Sequence, residues 1–142
     1  MIGLTGLRYY RMADGERERL LSELRESLEG VEGILFAYVH GSFLERELFR
    51  DVDIALWIED PKEAFSYEVE LSSKLELRFK IPVDVQVLNG APLPFIYIVL
   101  TKGRLLLSRD ERIRVEVVDE VIREYADLLL ISKISEDQLC YR

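Results

Sequence analysis

Apolar residues recur along this chain at two different spacings, and each spacing predicts its own kind of secondary structure. Helical spacing predicts helices over about 15–29, from Pro61 to about Phe79, over 93–101 and over about 110–130. Asp14 stands where its carboxylate can cap the first of these helices. A short helix is also expected over Phe43–Phe49, whereas residues 1–12 are too mixed to assign.

Alternation of apolar and other residues is sharpest in Asp51–Ile58, and it predicts a strand with one aliphatic face. The opposite face of that strand carries Asp51 and Asp53. Val83–Val87 alternates in the same way, with Asp84 and Gln86 between its valines. Two further strands are predicted, a buried one over Ile34–Val39 and a short one over Arg104–Leu107.

The order of these elements predicts the fold class. Helices and strands alternate, which indicates an α/β (α+β) fold with a small mixed sheet, helices packed on one face and a long C-terminal helix. The other face, near the acidic residues, is expected to be open. A length of 142 residues fits a single domain over 1–142 with a sizeable core.

Composition narrows the range of partners. The net charge is −8, from 27 acidic and 19 basic residues, and the basic residues are scattered, so a nucleic-acid substrate is not expected.

The apolar runs are too short to span a bilayer and the N-terminus lacks a signal-peptide layout, which predicts a cytoplasmic location. Cys140 is the only cysteine, which rules out an internal disulfide.

The aspartates of two predicted strands suggest one shared site. Asp51 and Asp53 would lie about 6–7 Å apart at Cα and on the same side of their strand. Asp84 joins them if the two strands are neighbours in register, because both aliphatic faces must meet one core. Carboxylates this close suit divalent cations, which two-metal sites hold about 3.5–4 Å apart. Mg²⁺ prefers such oxygen ligands.

Gly41 and Ser42 directly follow a predicted strand and form a candidate phosphate site. Glycine lets the backbone approach a phosphate closely or adopt a positive φ. The Ser42 hydroxyl and N–H can both donate to a phosphate oxygen. A helix over Phe43–Phe49 would add its positive N-terminus. Phosphate donors beside a cation site are the parts that phosphoryl-type transfer needs.

The chain resembles the minimal nucleotidyltransferase (MNT) family of the DNA polymerase β-like superfamily, and in particular its antitoxin-type members. The resemblance covers roughly residues 15–130. The residues that carry it are Gly41-Ser42, the run 51–56, Pro82–Val85, the run 88–94 and the run 103–106.

This resemblance implies that the protein transfers a nucleoside monophosphate from ATP or another NTP and releases pyrophosphate. AMP is the first candidate for the transferred group. It implies that Asp51 and Asp53 bind two Mg²⁺ ions and that Asp84 holds the catalytic metal. Gly41 and Ser42 would hold the triphosphate. Many small members act as antitoxins beside HEPN-domain RNases, so a HEPN-type toxin is the implied partner. Self-association is also compatible with the sequence.

The sequence departs from the family in one place and leaves other readings open. The gap between Ser42 and the acid pair is about two residues shorter than in many members, so the second acid could be missing if Asp53 paired with Ala55. An inactive binding antitoxin is therefore one alternative, and a small-molecule nucleotidyltransferase is a separate second one.

Residues beside the site have simpler interpretations than catalysis. His40, the only histidine, is read first as a residue that ends a strand and bonds its neighbours, and second as a phosphate contact or base. The basic side chains near the site are interpreted first as solvated surface charges or members of ion pairs and second as phosphate contacts; they are Arg46, Arg50, Lys102, Arg104 and Arg109.

Overall fold

A four-stranded sheet and a two-stranded sheet form the framework, and the computed structural model describes residues 8–140. Within that range the strands are β1 (Tyr10–Arg11), β2 (Ile34–His40), β3 (Leu48–Phe49), β4 (Val52–Ile58), β5 (Val83–Val87) and β6 (Arg104–Ser108). The helices are α1 (Asp14–Glu29), α2 (Ser42–Glu45), α3 (Ala64–Ser66), α4 (Ser72–Phe79), α5 (Leu93–Lys102) and α6 (Glu111–Cys140). A 3₁₀ turn (Pro61–Glu63) and a π-helical turn (Tyr67–Leu71) join α3 and α4 into one helical segment.

The larger sheet has the strand order β5-β4-β2-β6. β2 runs antiparallel to both β4 and β6, whereas β4 and β5 are parallel. Parallel neighbours require a crossover connection, and the helical segment over 61–79 supplies it. The two strands that carry the aspartates are therefore side by side.

Helices cover both faces of this sheet. Leu24 and Leu28 of α1 and Leu75 of α4 pack on the first face in one buried cluster. On the second face a separate cluster joins the sheet residues Phe36, Tyr38 and Ala55 to α5 and α6.

The predicted fold class, mixed α+β with a long C-terminal helix, is confirmed. The structure differs from the expectation that helices pack on one face only. The second face is apolar along most of its length, and α5 and α6 bury that part. The three aspartates lie at one end of this face, where β2 ends and where β4 and β5 begin.

The predicted helix over Phe43–Phe49 is shorter in the structure and gives way to a strand. α2 ends at Glu45, and β3 then pairs with β1 in the small antiparallel sheet. Phe49 is fully buried and its ring lies edge-on to that of Phe43, with 4.9 Å between the ring centroids. This long-range packing overrides the local helical preference.

The remaining boundaries lie near their predicted positions. β5 has the predicted bounds, and α5 and β6 each extend one residue further than expected. α6 continues ten residues beyond the predicted end at about 130, to Cys140. Asp14 lies in the first turn of α1 rather than capping it, since the N-cap residue is Ala13.

Of residues 1–12, those numbered 1–7 lie outside the described residues. No helix in the described range has the length and apolarity needed to cross a membrane.

Candidate active site

Asp53 and Asp84 are direct partners across the parallel β4–β5 ladder. Neighbouring strands lie about 4.8 Å apart, so these two side chains leave the same face of the sheet at the same level. Asp51 precedes β4 by one residue and is half-buried, as Asp53 is, whereas Asp84 is exposed. The structure thus brings all three predicted aspartates to one end of the second face.

The three carboxyl groups influence one another electrostatically. Burial, the negative charges of Asp51 and Asp84 and a hydrogen bond shared with Asp51 together raise the pKa of Asp53 to about 7. Burial is the largest of these causes because it disfavours the charged form. A carboxylate in this position gains stability from any cation placed beside it.

Gly41 lies against Asp53 and adopts a backbone conformation that suits glycine, with φ 80° and ψ −155°. A Cβ atom at this position would overlap the Asp53 carboxylate oxygen Oδ2. The turn can therefore approach the aspartates closely only because residue 41 has no side chain. Ser42 follows as the first residue of α2. Since α2 is a single turn, little helix dipole is available to this site.

Arg17 fixes the segment that follows the Gly-Ser turn, and sequence reasoning missed it. Its guanidinium donates to the carbonyl oxygens of Phe43, Arg46 (2.9 Å) and Glu47 (2.8 Å). It also lies 5.2 Å from the ring centroids of both Phe43 and Phe49. Arg17 lies one helical turn before Leu20 and Leu21, so it continues the leucine stripe, but the spacing of α1 alone could not show that distant carbonyl groups would be its partners.

His40 is the cross-strand partner of Asp53 on the side away from Asp84. Burial lowers the pKa of His40, and the charges of Asp84, Asp51 and Glu45 partly offset that effect. Its ring packs edge-on against Phe95, with 5.6 Å between the ring centroids. Its Nε2 is buried without a hydrogen-bond partner in the described part of the chain. The expectation that His40 bonds its neighbours is therefore not met at this nitrogen.

Two basic residues considered as phosphate contacts are engaged elsewhere. Arg104 forms a two-point ion pair with Glu18, with nitrogen–oxygen distances of 2.7 and 2.8 Å. Arg109 donates to carbonyl oxygens at the end of α1 and to that of Val31. Arg104 thus forms an ion pair, as the simpler interpretation expects, whereas Arg109 binds backbone carbonyl oxygens instead.

The aspartates suit a divalent metal ion completed by a substrate. Residues 8–140 contain no group of three or more histidine, cysteine, aspartate or glutamate side chains already arranged around a metal position. Mg²⁺, however, usually binds one or two carboxylates together with waters and substrate phosphates. The crowded carboxyl group of Asp53, with its raised pKa, has the chemistry of such a ligand. The donor set therefore fits Mg²⁺.

A mixed sheet with aspartates on adjacent strands beside a Gly-Ser turn defines a nucleotidyltransferase-type domain. Residues 22–112 match the family described as polymerase beta, nucleotidyltransferase. This match spans more than half of the 142 residues, so the chain belongs to that family. The resemblance to the DNA polymerase β-like nucleotidyltransferases is thereby confirmed. No curated protein matches the chain significantly.

Solved structures share this fold over most of the chain at low sequence identity. A chain from a crystal structure of the MntA–HepT toxin–antitoxin has a TM-score of 0.67 at 20% identity and covers 86% of this chain and 97% of that one. A chain from a complex of tri-AMPylated Shewanella oneidensis HEPN toxin with MNT antitoxin has a TM-score of 0.64 at 19% identity. This match covers 87% of the present chain and 98% of the other. A chain from a toxin–antitoxin structure with AMP-PNP has a TM-score of 0.60 at 20% identity, and the match covers 89% of the present chain and 98% of the other.

Proposed function

We propose that this protein is a Mg²⁺-dependent adenylyltransferase that moves AMP from ATP to a hydroxyl group of a partner protein. We further propose that it acts as the antitoxin of a HEPN/MNT-type toxin–antitoxin pair. The observation that carries the proposal is the pairing of Asp53 with Asp84 beside Gly41. Family membership supports the reaction class, and the neighbours with an AMPylated toxin and with AMP-PNP support the partner and the nucleotide.

Each residue has a defined part in the proposed reaction. Gly41 and Ser42 hold the triphosphate, and Asp51, Asp53 and Asp84 hold the metal. When bound, Mg²⁺ neutralises phosphate charge and lowers the cost of the charge that develops during transfer. Asp84 is exposed, so a hydroxyl group of a second protein can reach it from solution.

The transfer step balances without a further reactant. The acceptor oxygen forms a bond to the α-phosphorus of ATP while the bond between that phosphorus and the bridging oxygen breaks. Pyrophosphate leaves with the electrons of the broken bond. The acceptor proton passes to the Asp84 carboxylate and then to solvent.

A transfer assay tests the proposal directly. The protein is incubated with Mg²⁺, ATP labelled at the α-phosphate and the protein encoded by the neighbouring reading frame. We expect label on that protein. We expect Asp53→Asn to lower the rate by at least about 100-fold, because several kcal/mol of charge stabilisation depend on metal binding. Asp137→Asn is the matched control, since it removes an exposed carboxylate of α6.

An antitoxin that acts by binding alone is the second candidate. It is favoured by the short gap between Ser42 and Asp51, because a shorter loop alters how the triphosphate is held. Under this alternative no label is transferred, and Asp53→Asn neutralises the co-expressed partner as well as the unchanged protein does. Label that appears on a small-molecule acceptor, rather than on the protein, would instead indicate a small-molecule nucleotidyltransferase.

A further inference from the structure

His40 has a hydrogen-bonding atom that the fold leaves unused. Two side-chain polar atoms within the described range are buried without a partner, Nε2 of His40 and Oε1 of Gln86. Buried polar atoms in native proteins are almost always bonded, so each such exception calls for an explanation. Both residues lie on the face that carries the aspartates, because β2, β4 and β5 align there in register.

The position of His40 relative to the aspartates indicates what it faces. Across the sheet the order is Asp84 on β5, Asp53 on β4 and His40 on β2. Asp84 therefore lies on one side of Asp53 and His40 on the other. His40 also directly precedes Gly41, so it lies on the triphosphate side of the site and away from the acceptor.

The ring of His40 is held in place by packing. Phe95, at the start of α5, lies edge-on against it. The imidazole can donate from Nε2 both as the neutral Nε2–H tautomer and as the cation. Donation from this atom is therefore available to the cation and to the neutral ring in its Nε2–H tautomer.

We propose that His40 Nε2 donates a hydrogen bond to the β- or γ-phosphate of the bound nucleotide, the part that leaves as pyrophosphate. This inference rests on the proposed function and adds a residue to its leaving-group side. No proton transfer is required, since the donor holds an anionic oxygen before and during departure. His40 is thus a substrate-contacting residue rather than a residue that only ends β2.

Nucleotides with and without the outer phosphates test this contact by binding alone. Affinities for ATP and for AMP are measured by calorimetry with Mg²⁺ present, for the unchanged protein, His40→Phe and His40→Gln. Phenylalanine keeps an aromatic ring against Phe95 but has no donor, whereas glutamine places an N–H near the position of Nε2. Because a hydrogen bond to a charged group is worth roughly 10- to 100-fold in affinity, we expect His40→Phe to weaken ATP binding by that factor. We expect AMP binding to change less than twofold and His40→Gln to recover most of the loss.

The possible results separate this inference from the function on which it rests. Unchanged ATP affinity in His40→Phe, with clear binding by the unchanged protein, would overturn the contact and leave the proposed transferase standing. An equal loss for ATP and AMP would also overturn it, because the effect would then not lie at the outer phosphates. If the unchanged protein bound no ATP in the presence of Mg²⁺, both the contact and the transferase would fall. Thermal unfolding of each variant shows that the compared proteins are folded.

Discussion

Gly41 and Asp53 are so close that the first cannot carry a side chain while the second keeps its position. The Gly41 Cα faces the Asp53 carboxylate oxygen Oδ2, although the two residues stand twelve positions apart in the sequence. The Gly41-Ser42 turn and strand β4 are therefore fitted to each other. A substitution at one of these two residues should therefore displace the other.

Gly41→Ala is expected to destabilise the protein by about 1–3 kcal/mol, the cost of holding a residue other than glycine in this backbone region. Displacement of Asp53 should add to that cost and remove ATP binding. Gly90→Ala is the matched control, because Gly90 has the same φ of 80° but open space where a Cβ atom would stand. Denaturant unfolding measures both variants. An equal loss of stability in the two would show that the contact with Asp53 contributes nothing.

Asp53 should make the metal-free protein less stable as pH rises from about 4 to about 7. Its folded-state pKa is raised from 3.8 to about 7, so in this window the folded state holds a proton that the unfolded state has released. The free energy of unfolding therefore falls as pH rises through the window and levels off above it.

Asp53→Asn removes this dependence and gives a direct measurement. In EDTA, the variant should be more stable than the unchanged protein at pH 8, and the difference should shrink towards pH 4. Asp137→Asn, on the exposed part of α6, should show no comparable trend. Mg²⁺ should stabilise the unchanged protein at pH 8 and leave Asp53→Asn unaffected. A pH-independent difference between Asp53→Asn and the unchanged protein would contradict the raised pKa.

Arg17→Lys is expected to loosen the segment between Ser42 and Phe49. Lysine keeps the charge and three N–H donors, but its compact ammonium lacks the planar fork that reaches these separated carbonyl oxygens and the flat surface that lies against the two aromatic rings. The expected loss of stability is about 1–3 kcal/mol. Hydrogen exchange should quicken in residues 42–49, whereas Arg19→Lys, at an exposed position of the same helix, should change neither quantity. Unaltered exchange in Arg17→Lys would show that other contacts hold the segment.

Asn89→Asp is expected to weaken the end of β4. The Asn89 side chain accepts a hydrogen bond from the Ile58 N–H and donates one to the Ile58 carbonyl oxygen, each at 3.0 Å. Aspartate keeps the acceptor, loses the donor and sets a carboxylate against a carbonyl oxygen. We expect a loss of about 1–3 kcal/mol in denaturant unfolding. Asn89→Gly is the reference, since it removes both bonds without adding a charge, and it should cost less than Asn89→Asp if the repulsion is real.

Much of the fold follows from local patterns in the sequence. The alternation in Asp51–Ile58 decides which side chains share a face, because successive residues of a strand point to opposite sides. The leucine spacing of α1 and the bounds of β5 are local in the same sense. These features need no knowledge of distant residues, and they made Asp51, Asp53 and Asp84 visible as candidates.

Only the tertiary structure shows which strands pair and which side chains meet when the residues lie far apart in the sequence. That β4 and β5 pair in parallel, with Asp53 opposite Asp84, depends on the crossover between them and on one shared core. The strand Leu48–Phe49 forms only because β1 offers a partner, and Arg17 reaches Glu47 across 30 residues. The unpartnered Nε2 of His40 could be recognised only from the tertiary structure, which sets its ring against Phe95. The periodicity of the sequence indicates to which face of an element a side chain points. Which residues it contacts there depends on packing between segments that are distant in the sequence, so a short stretch of sequence does not determine it.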